Sequence, residues 1–249
     1  MRLPGYALDA VVVAAGLIYA AQTDSYGAFL LATVSLTALA AIGLNVLIGL
    51  SGQISFGHVG FMAIGAYATA ILMERAGWPF SAAMPAAALL AGAIGGVLAV
   101  PALRVRGPYL AMVTIAFGFI VEHGAIEWRD LTGGGNGLIL SHGPTLFGEK
   151  LGERGLAVLG LLLVGAALFG YRRIAASGWG YAMRAARGSE VAAGSIGIDL
   201  VWVRTAAFVV SAVAAALAGA LFAPLNGYVS PSSFPFVQSI LLVLAVLVG

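Results

Sequence analysis

The chain has 249 residues, 61% of them hydrophobic and 9% charged, with a mean hydropathy of +1.02. Soluble domains run at about 45–50% apolar and about 25% charged, so these charges would not cover one modest globular surface. A soluble enzyme, a disordered segment and a nucleic-acid-binding domain are excluded. The formal net charge of +2 is no argument for nucleic acid, and the absence of cysteine removes disulfides, thiolate zinc sites and thiol nucleophiles.

A helix needs about 20 apolar residues to cross hydrocarbon and must satisfy its own backbone hydrogen bonds. In chain order, charge-poor runs between charged or Gly/Pro-rich breaks fall at 6–22, 26–50, 56–73, 82–103, 108–121, 155–171 and 205–225. The fifth is short, with room to extend past Glu122. An eighth run, 238–249, reaches only about 18 Å at about 1.5 Å per residue, too short to span, so the chain reads as truncated inside a helix. The first run lacks the cleavage pattern of a signal peptide. The expected fold is all-α: one polytopic transmembrane domain over 1–249 with seven full spans and a truncated eighth.

Strict alternation of these spans puts Arg2, Arg104, Arg106, Arg172, Arg173, Arg184, Arg187 and Arg204 on one side, against Glu190 and Asp199. The other side carries Arg75, Arg129, Lys150 and Arg154 with Asp24, Glu74, Glu122, Glu127, Asp130, Glu149 and Glu153. Positively charged loops stay inside, so the arginine-rich side and the N-terminus are expected to be cytoplasmic. Lipid supplies no hydrophobic drive between helices, and small residues must allow close packing. Gly92 with Gly96, and Ala212 with Ala216 and Ala220, have that spacing, whereas Gly160, Gly165 and Gly170 define no single face.

Three segments stand out. Residues 51–60, Ser-Gly-Gln-Ile-Ser-Phe-Gly-His-Val-Gly, lie between two strongly apolar runs. They read either as a broken element lining a transport path, since irregular backbone at membrane depth must be covered by protein or a watery cavity, or as an ordinary cytoplasmic turn. His58 alone reads more simply as a packing histidine than as a ligand, because no second His, Asp or Glu stands near enough to share a metal; no metal site is expected.

The outer loop 122–154 contains Thr132-Gly-Gly-Gly-Asn-Gly-Leu138, able to bring backbone N–H groups close to a partner, and Trp128 as an interface anchor. It reads otherwise as a flexible connector. Lys150, the chain's only lysine, follows Glu149, so no Gly-Lys-Ser/Thr phosphate loop exists anywhere in the sequence. If ATP drives this protein, another chain binds it. The inner loop 172–204 predicts a short helix from about Ser189, with the serine as its cap, Glu190 in its first turn and its end near Gly197. Its face would be Ala192, Ala193 and Ile196, small enough to lie deep in a partner's groove; otherwise it merely joins two spans.

The chain resembles the permease subunits of branched-chain amino acid ABC transporters, and among them the M-like one of the two paired permeases. The resemblance rests on Leu44-Asn-Val-Leu-Ile-Gly-Leu-Ser-Gly-Gln-Ile-Ser-Phe-Gly-His58, Gly60-Phe-Met-Ala-Ile-Gly-Ala-Tyr67, Gly107-Pro-Tyr-Leu-Ala-Met-Val-Thr114, Thr132–Leu138 and the stretch 185–198. It implies a bacterial inner-membrane protein with no nucleotide site or cofactor of its own. The implied partners are a second, H-like permease, two cytoplasmic ATPase subunits and a periplasmic substrate-binding protein. It further implies that the inner loop is a coupling helix, with Glu190, Ala192, Ala193, Ile196 and Gly197 meeting the ATPase. The family pattern Glu-Ala-Ala-x-x-x-Gly fits Ala192, Ala193 and Gly197, but Val191 stands where its Glu would be, and Glu190 lies one step earlier.

On this reading the binding protein docks on the outer face, with Thr132, Gly133, Gly134, Gly135 and Asn136 in the docking loop. A zwitterion is costly in hydrocarbon, so its path should be lined by hydroxyls, amides and helix ends. Asn45, Gln53, Ser55, Thr114 and Asn136 are the candidates. Related permeases handle urea or other small amides, and nothing in the residues chooses between these substrates. Two rivals come from other classes. A stand-alone channel or secondary transporter would work without ATPases. An intramembrane serine protease would use Ser51 of Gly49-Leu-Ser-Gly52, but His58 falls in a Gly-rich turn and His123 and His142 fall at the opposite boundary.

Overall fold

The computed structural model describes residues 5–102, 108–141, 143–146 and 149–248. Arg2, Arg104, Arg106 and His142, used above to argue sidedness or chemistry, lie outside the described residues. The long helices are α1 (Gly5–Gln22), α2 (Ser25–Asn45), α3 (His58–Glu74), α4 (Phe80–Ala102), α5 (Pro108–Glu127), then α7 (Glu153–Ala175), α10 (Leu200–Asn226) and α11 (Phe236–Val248). Short helices α6 (Arg129–Thr132), α8 (Gly178–Gly188) and α9 (Glu190–Ser195) sit in the loops. Most long helices are apolar all round, as helices surrounded by protein and lipid must be.

Six runs among the described residues are long and apolar enough to cross a membrane: Ser25–Leu50, Phe80–Val100, Tyr109–Glu127, Glu153–Ala175, Leu200–Asn226 and Pro231–Val248. Tyr6–Gln22 and His58–Glu74 are apolar but shorter. The differences from the sequence reading have local causes. The third run starts at His58 rather than 56 because residues 51–57 are not helical. The fifth continues through Glu122 to Glu127, and the seventh begins at Leu200, where Asp199 accepts a hydrogen bond from Trp202 N at 3.1 Å as an N-cap. The last run, read as too short to span, lengthens to 18 residues because a 3-10 turn at Pro231–Ser233 precedes α11.

The described chain is mostly helical, as expected, and two short ladders accompany the helices. Leu138–Ile139 (β1) pairs antiparallel with Tyr228–Val229 (β4), and Thr145–Leu146 (β2) with Glu149–Lys150 (β3). A two-residue strand has no periodicity to read, so the sequence carried no sign of these ladders.

Helix α10 is the hub, packed against α2, α3 and α4. Its stripe Ala212, Ala216 and Ala220 is fully buried. A Cβ on Gly95 would stand 2.8 Å from Ala212 Cβ, and one on Gly92 2.9 Å from Val213, so the small residues of α4 face α10 within the chain. The tightest crossing joins α3 to α10: a Cβ on Gly65 would lie 2.1 Å from the Ala216 carbonyl oxygen, and one on Gly219 1.9 Å from that of Met62. Gly160 faces Ser35, Gly165 faces Val13 and Gly170 faces open space, so these three share no face, as their spacing implies.

Polar contacts at both ends hold α1 and α7 antiparallel. Arg172 on the last turn of α7 makes a two-pronged ion pair with Asp9 of α1, and Arg154 at the start of α7 donates to the Thr23 carbonyl at 2.6 Å. One end of the bundle therefore gathers Asp9, Arg172, α8 and α9. The other gathers the β1–β4 ladder, which ties the 122–154 loop to the end of α10.

Candidate functional site

The site begins where α2 stops being regular. Val46–Leu50 forms a π-helical turn, Ser51 Oγ donates to the Leu47 carbonyl at 2.8 Å, and Gln53 Nε2 donates to Ser51 Oγ at 2.7 Å. Gly52 adopts φ +71, and a Cβ there would meet Arg187 Cγ at 2.7 Å, while Arg187 donates to the Gly49 carbonyl. The chain then runs without helix to His58. Phe56 N donates to Thr114 Oγ1 at 3.1 Å, and a Cβ on Gly57 would fall 2.4 Å from the Thr114 carbonyl oxygen. Position 57 needs glycine: the backbone of α5 occupies the space a side chain there would take.

His58 opens α3 and is buried, close to the middle of the 27-residue α10 that it faces. Its Nε2 lies 2.9 Å from Ser211 Oγ, and Ser211 Oγ donates to the Gly43 carbonyl at 2.8 Å. With the serine proton committed to Gly43, the imidazole carries its proton on Nε2 and donates to Ser211, leaving Nδ1 without a partner. Val59 N donates to Ser239 Oγ at 3.2 Å. Segment 51–57 is therefore covered on alternate residues: Ser51, Gln53, Ser55 and Gly57 are buried, Gly52 and Ile54 are exposed, and α5 and Arg187 of α8 reach it.

Of the residues proposed for a substrate path, four gather around this break. Gln53, Ser55 and Thr114 are buried in it, and Asn45 ends α2 just before it. Asn136 does not join them. It is exposed in the outer loop, where its carbonyl accepts from Tyr228 Oη at 2.8 Å. The Thr114 and Ser55 hydroxyls accept from the irregular backbone at Phe56 and Gly57, and the Gln53 amide donates to Ser51 Oγ, so their first task is to hold the break.

The glycine cluster is less open than its composition implies. Thr132 is buried, donating to the carbonyls of Ala125 (2.6 Å) and Trp128 (2.8 Å). A Cβ on Gly133 would stand 2.0 Å from the Gly137 oxygen, and one on Gly137 (φ +72) 2.4 Å from that of Val229. These glycines let the loop fold on itself and on β4. Only Gly135 and Asn136 of the five proposed docking residues are exposed; Gly134 is buried and Gly133 partly so.

At the other end, Ser189 caps α9 as its sequence implies, accepting from Ala192 N at 3.3 Å, and Gly197 follows with φ +83. Ser189 also breaks the loop into two helices, α8 and α9. The proposed face splits: Ala193 is buried, while Ala192 and Ile196 point outward. Glu190 forms an ion pair with Arg204 at the start of α10. Trp179 and Trp202, with rings 6.1 Å apart, flank the same end.

Sequence reasoning missed Ser211, Ser239 and Arg204 as the partner of Glu190. Ser211 had one readable sign, a hydroxyl beside the alanine stripe of an otherwise apolar span. The others depend on pairings between distant segments.

Comparison with known proteins places this sequence in a family. The profile described as branched-chain amino acid transport system / permease component matches residues 26–249. The high-affinity branched-chain amino acid transport system permease protein LivM of Escherichia coli (strain K12) is 38% identical over 232 residues, covering 84% of this chain and 55% of that protein. The protein of the same description from Salmonella typhimurium (strain LT2) matches with the same identity and coverage. The chain thus spans about half the length of the curated relatives it matches. No solved structure matches it significantly.

Proposed function

This chain belongs to the family of branched-chain amino acid transport system permease components, and from that premise we propose that it is one permease subunit of an ABC importer for branched-chain, hydrophobic amino acids. The match over residues 26–249 carries the reading. The chain sits in a bacterial inner membrane and crosses it with seven helices and an eighth, α1 and α3 included. Its N-terminus and the 172–204 loop face the cytosol. The arginines at that end, including Arg172, Arg173, Arg184 and Arg187, support this orientation.

The partners are a second, H-like permease, two cytoplasmic ATPases and a periplasmic binding protein. The binding protein docks on the outer face around Gly135 and Asn136. The ATPases press on α8 and α9, where Ala192, Ile196 and Gly197 offer an exposed small surface and Glu190 ties α9 to α10 through Arg204. Ala193 packs inward and fixes the seat of α9. Load on α9 passes along α10 to Ser211 and His58, where α2 and α3 meet the break. Movement there opens a path past Asn45, Gln53, Ser55 and Thr114, whose polar groups can exchange backbone partners for a zwitterion.

The test is uptake of radiolabelled leucine by proteoliposomes holding the four-component assembly. ATP-dependent uptake that needs the binding protein is expected; uptake without the ATPases, or none of leucine at all, defeats the proposal. Gly197 needs a left-handed backbone, which costs an L-residue about 1–2 kcal/mol. Gly197→Val should lower uptake by about tenfold or more, the scale of a coupling free energy between sites, with membrane insertion unchanged on blotting. Normal uptake in that variant removes α9 from the coupling route.

A further inference from the structure

Helix α7 lies close to its neighbours in its outer half and parts from them in its inner half. A Cβ on Gly160 would stand 3.0 Å from Ser35 Cβ of α2 and 3.8 Å from Leu221 of α10, whereas one on Gly170 would meet nothing within 4 Å. The parting leaves a groove of about 200 Å3 between α2, α7 and α10. Its floor is the tight crossing of α2 on α10, where a Cβ on Gly43 would stand 2.5 Å from Ala214 Cβ. Along α7 it runs from Leu163 to Ile174, about 16 Å at about 1.5 Å per residue.

Every lining residue belongs to one of the runs Ser25–Leu50, Glu153–Ala175 and Leu200–Asn226, which are long and apolar enough to cross a membrane. Apart from the Tyr171 hydroxyl, the lining side chains are aliphatic or absent. Water needs two to four polar partners to stay in such a place, and an empty gap forfeits dispersion contacts on every wall. A helix is about 10 Å across with its side chains, so 16 Å of it would fill on the order of 1,000 Å3; it can cover the groove but not enter it. A single hydrocarbon chain is narrow enough to lie inside.

The inner end of the groove carries a charge without a counterpart. Ala166, Gly170 and Arg173 follow one another at helical spacing along one side of α7, the first two lining the groove. Arg172, the neighbouring cation, is engaged by Asp9 of α1. Arg173 is exposed and has neither an ion-pair nor a hydrogen-bond partner among the described residues. An arginine at this depth, where the spanning run ends, attracts an anionic headgroup. Apolar groove and unpaired cation together fit one molecule with an acyl chain and a phosphate.

We propose that the groove between the inner halves of α7 and α10 binds one anionic phospholipid of the cytoplasmic leaflet, its acyl chain along 163–174 and its phosphate at Arg173. The assignment rests on the membrane placement and sidedness proposed above, and not on the substrate carried. A chain seated there supplies the contact that α7 and α10 lack at their inner ends, and so bears on the helix that receives load from α9.

The test uses phosphatidylglycerol with a diazirine midway along one acyl chain, added in trace to phosphatidylcholine nanodiscs. These hold the chain alone or in the full assembly, and the labelled peptides are mapped by mass. Labelling should concentrate on 163–174 and 210–217 in both samples, and unlabelled phosphatidylglycerol should compete where the same amount of phosphatidylcholine does not. Arg173→Gln should lower it about fivefold, the worth of one arginine at an anionic membrane surface. Gly170→Phe should abolish it by filling the groove, and Arg173→Gln keeps the test decisive if Gly170→Phe fails to fold. Labelling spread evenly over the lipid-facing helices, or undiminished in Arg173→Gln, overturns the site. Labelling of the chain alone that vanishes in the assembly gives the groove to a partner subunit and also overturns it. Leucine uptake is read separately: its absence defeats the importer reading and leaves the lipid site standing, and failure of the lipid site leaves the importer reading untouched.

Discussion

Ser211 shows how much one hydroxyl can hold. It accepts from His58 on α3 and donates to Gly43 on α2 while belonging to α10, so three helices share one oxygen atom. Interhelical hydrogen bonds in membrane proteins average about 0.6 kcal/mol, but Ser211→Ala also strands a buried imidazole N–H, which carries its own desolvation cost. The variant should lose about 1–2 kcal/mol, read as a lower melting temperature in detergent, and Ser211→Thr should retain most of the stability. Unchanged melting in Ser211→Ala would mean that the bond is not made. His58 was legible as a polar residue in a glycine-rich segment, but its partner, 153 positions away, was not. Spacing along the chain reports which residues share a helix face, not which faces meet. Glu122 is a boundary case: it was counted with the acids of the 122–154 loop although the fifth run had room to extend past it, and α5 runs on to Glu127 with Glu122 half-buried.

Among the elements, the apolar runs were read from composition alone, and their ends were read less well than their middles. Caps explain part of this, as Asp24 accepting from Gly27 N at 2.9 Å starts α2 and Asp199 starts α10 well before the expected boundary. The stripes at Gly92–Gly96 and Ala212–Ala220 were legible because small residues at a spacing of four mark a contact face. The closest crossing, Gly65 against Ala216 and Gly219 against Met62, was not, since it depends on which faces of α3 and α10 meet. Backbone approach there is limiting, and Gly219→Val should cost more than about 3 kcal/mol, the upper range for overpacking. It should leave little monodisperse protein on size exclusion. Gly170→Ala is the control: nothing lies within 4 Å of the added Cβ, and a helix gains about 0.5–1 kcal/mol from the exchange. Equal behaviour of the two variants would contradict the packing of α3 on α10.

For the whole molecule, the two ends differ in build as well as in charge. The outer loop is stitched to the end of α10 by short ladders and self-packed glycines, which suits a fixed platform. The inner loop is two short helices with exposed Trp179, Tyr181, Val191 and Ile196, joined to α10 by an ion pair, which suits a part that is pushed. Against the inner loop, through Arg187 of α8, lies the break at 51–57, whose alternate residues Ser51, Gln53, Ser55 and Gly57 are buried. Composition gave the membrane class, and the charge distribution is the ground for the proposed sidedness. The break was readable only as one of two possibilities, because a glycine-rich turn looks alike whether water or protein covers it. The account stands on the inner loop facing the cytosol within reach of the ATPases. Side-specific labelling of Ala192→Cys in intact cells and inverted vesicles tests this most directly. An impermeant maleimide should modify it in inverted vesicles only, with labelling suppressed when the ATPases are bound. Modification in intact cells, or from neither side, would contradict it.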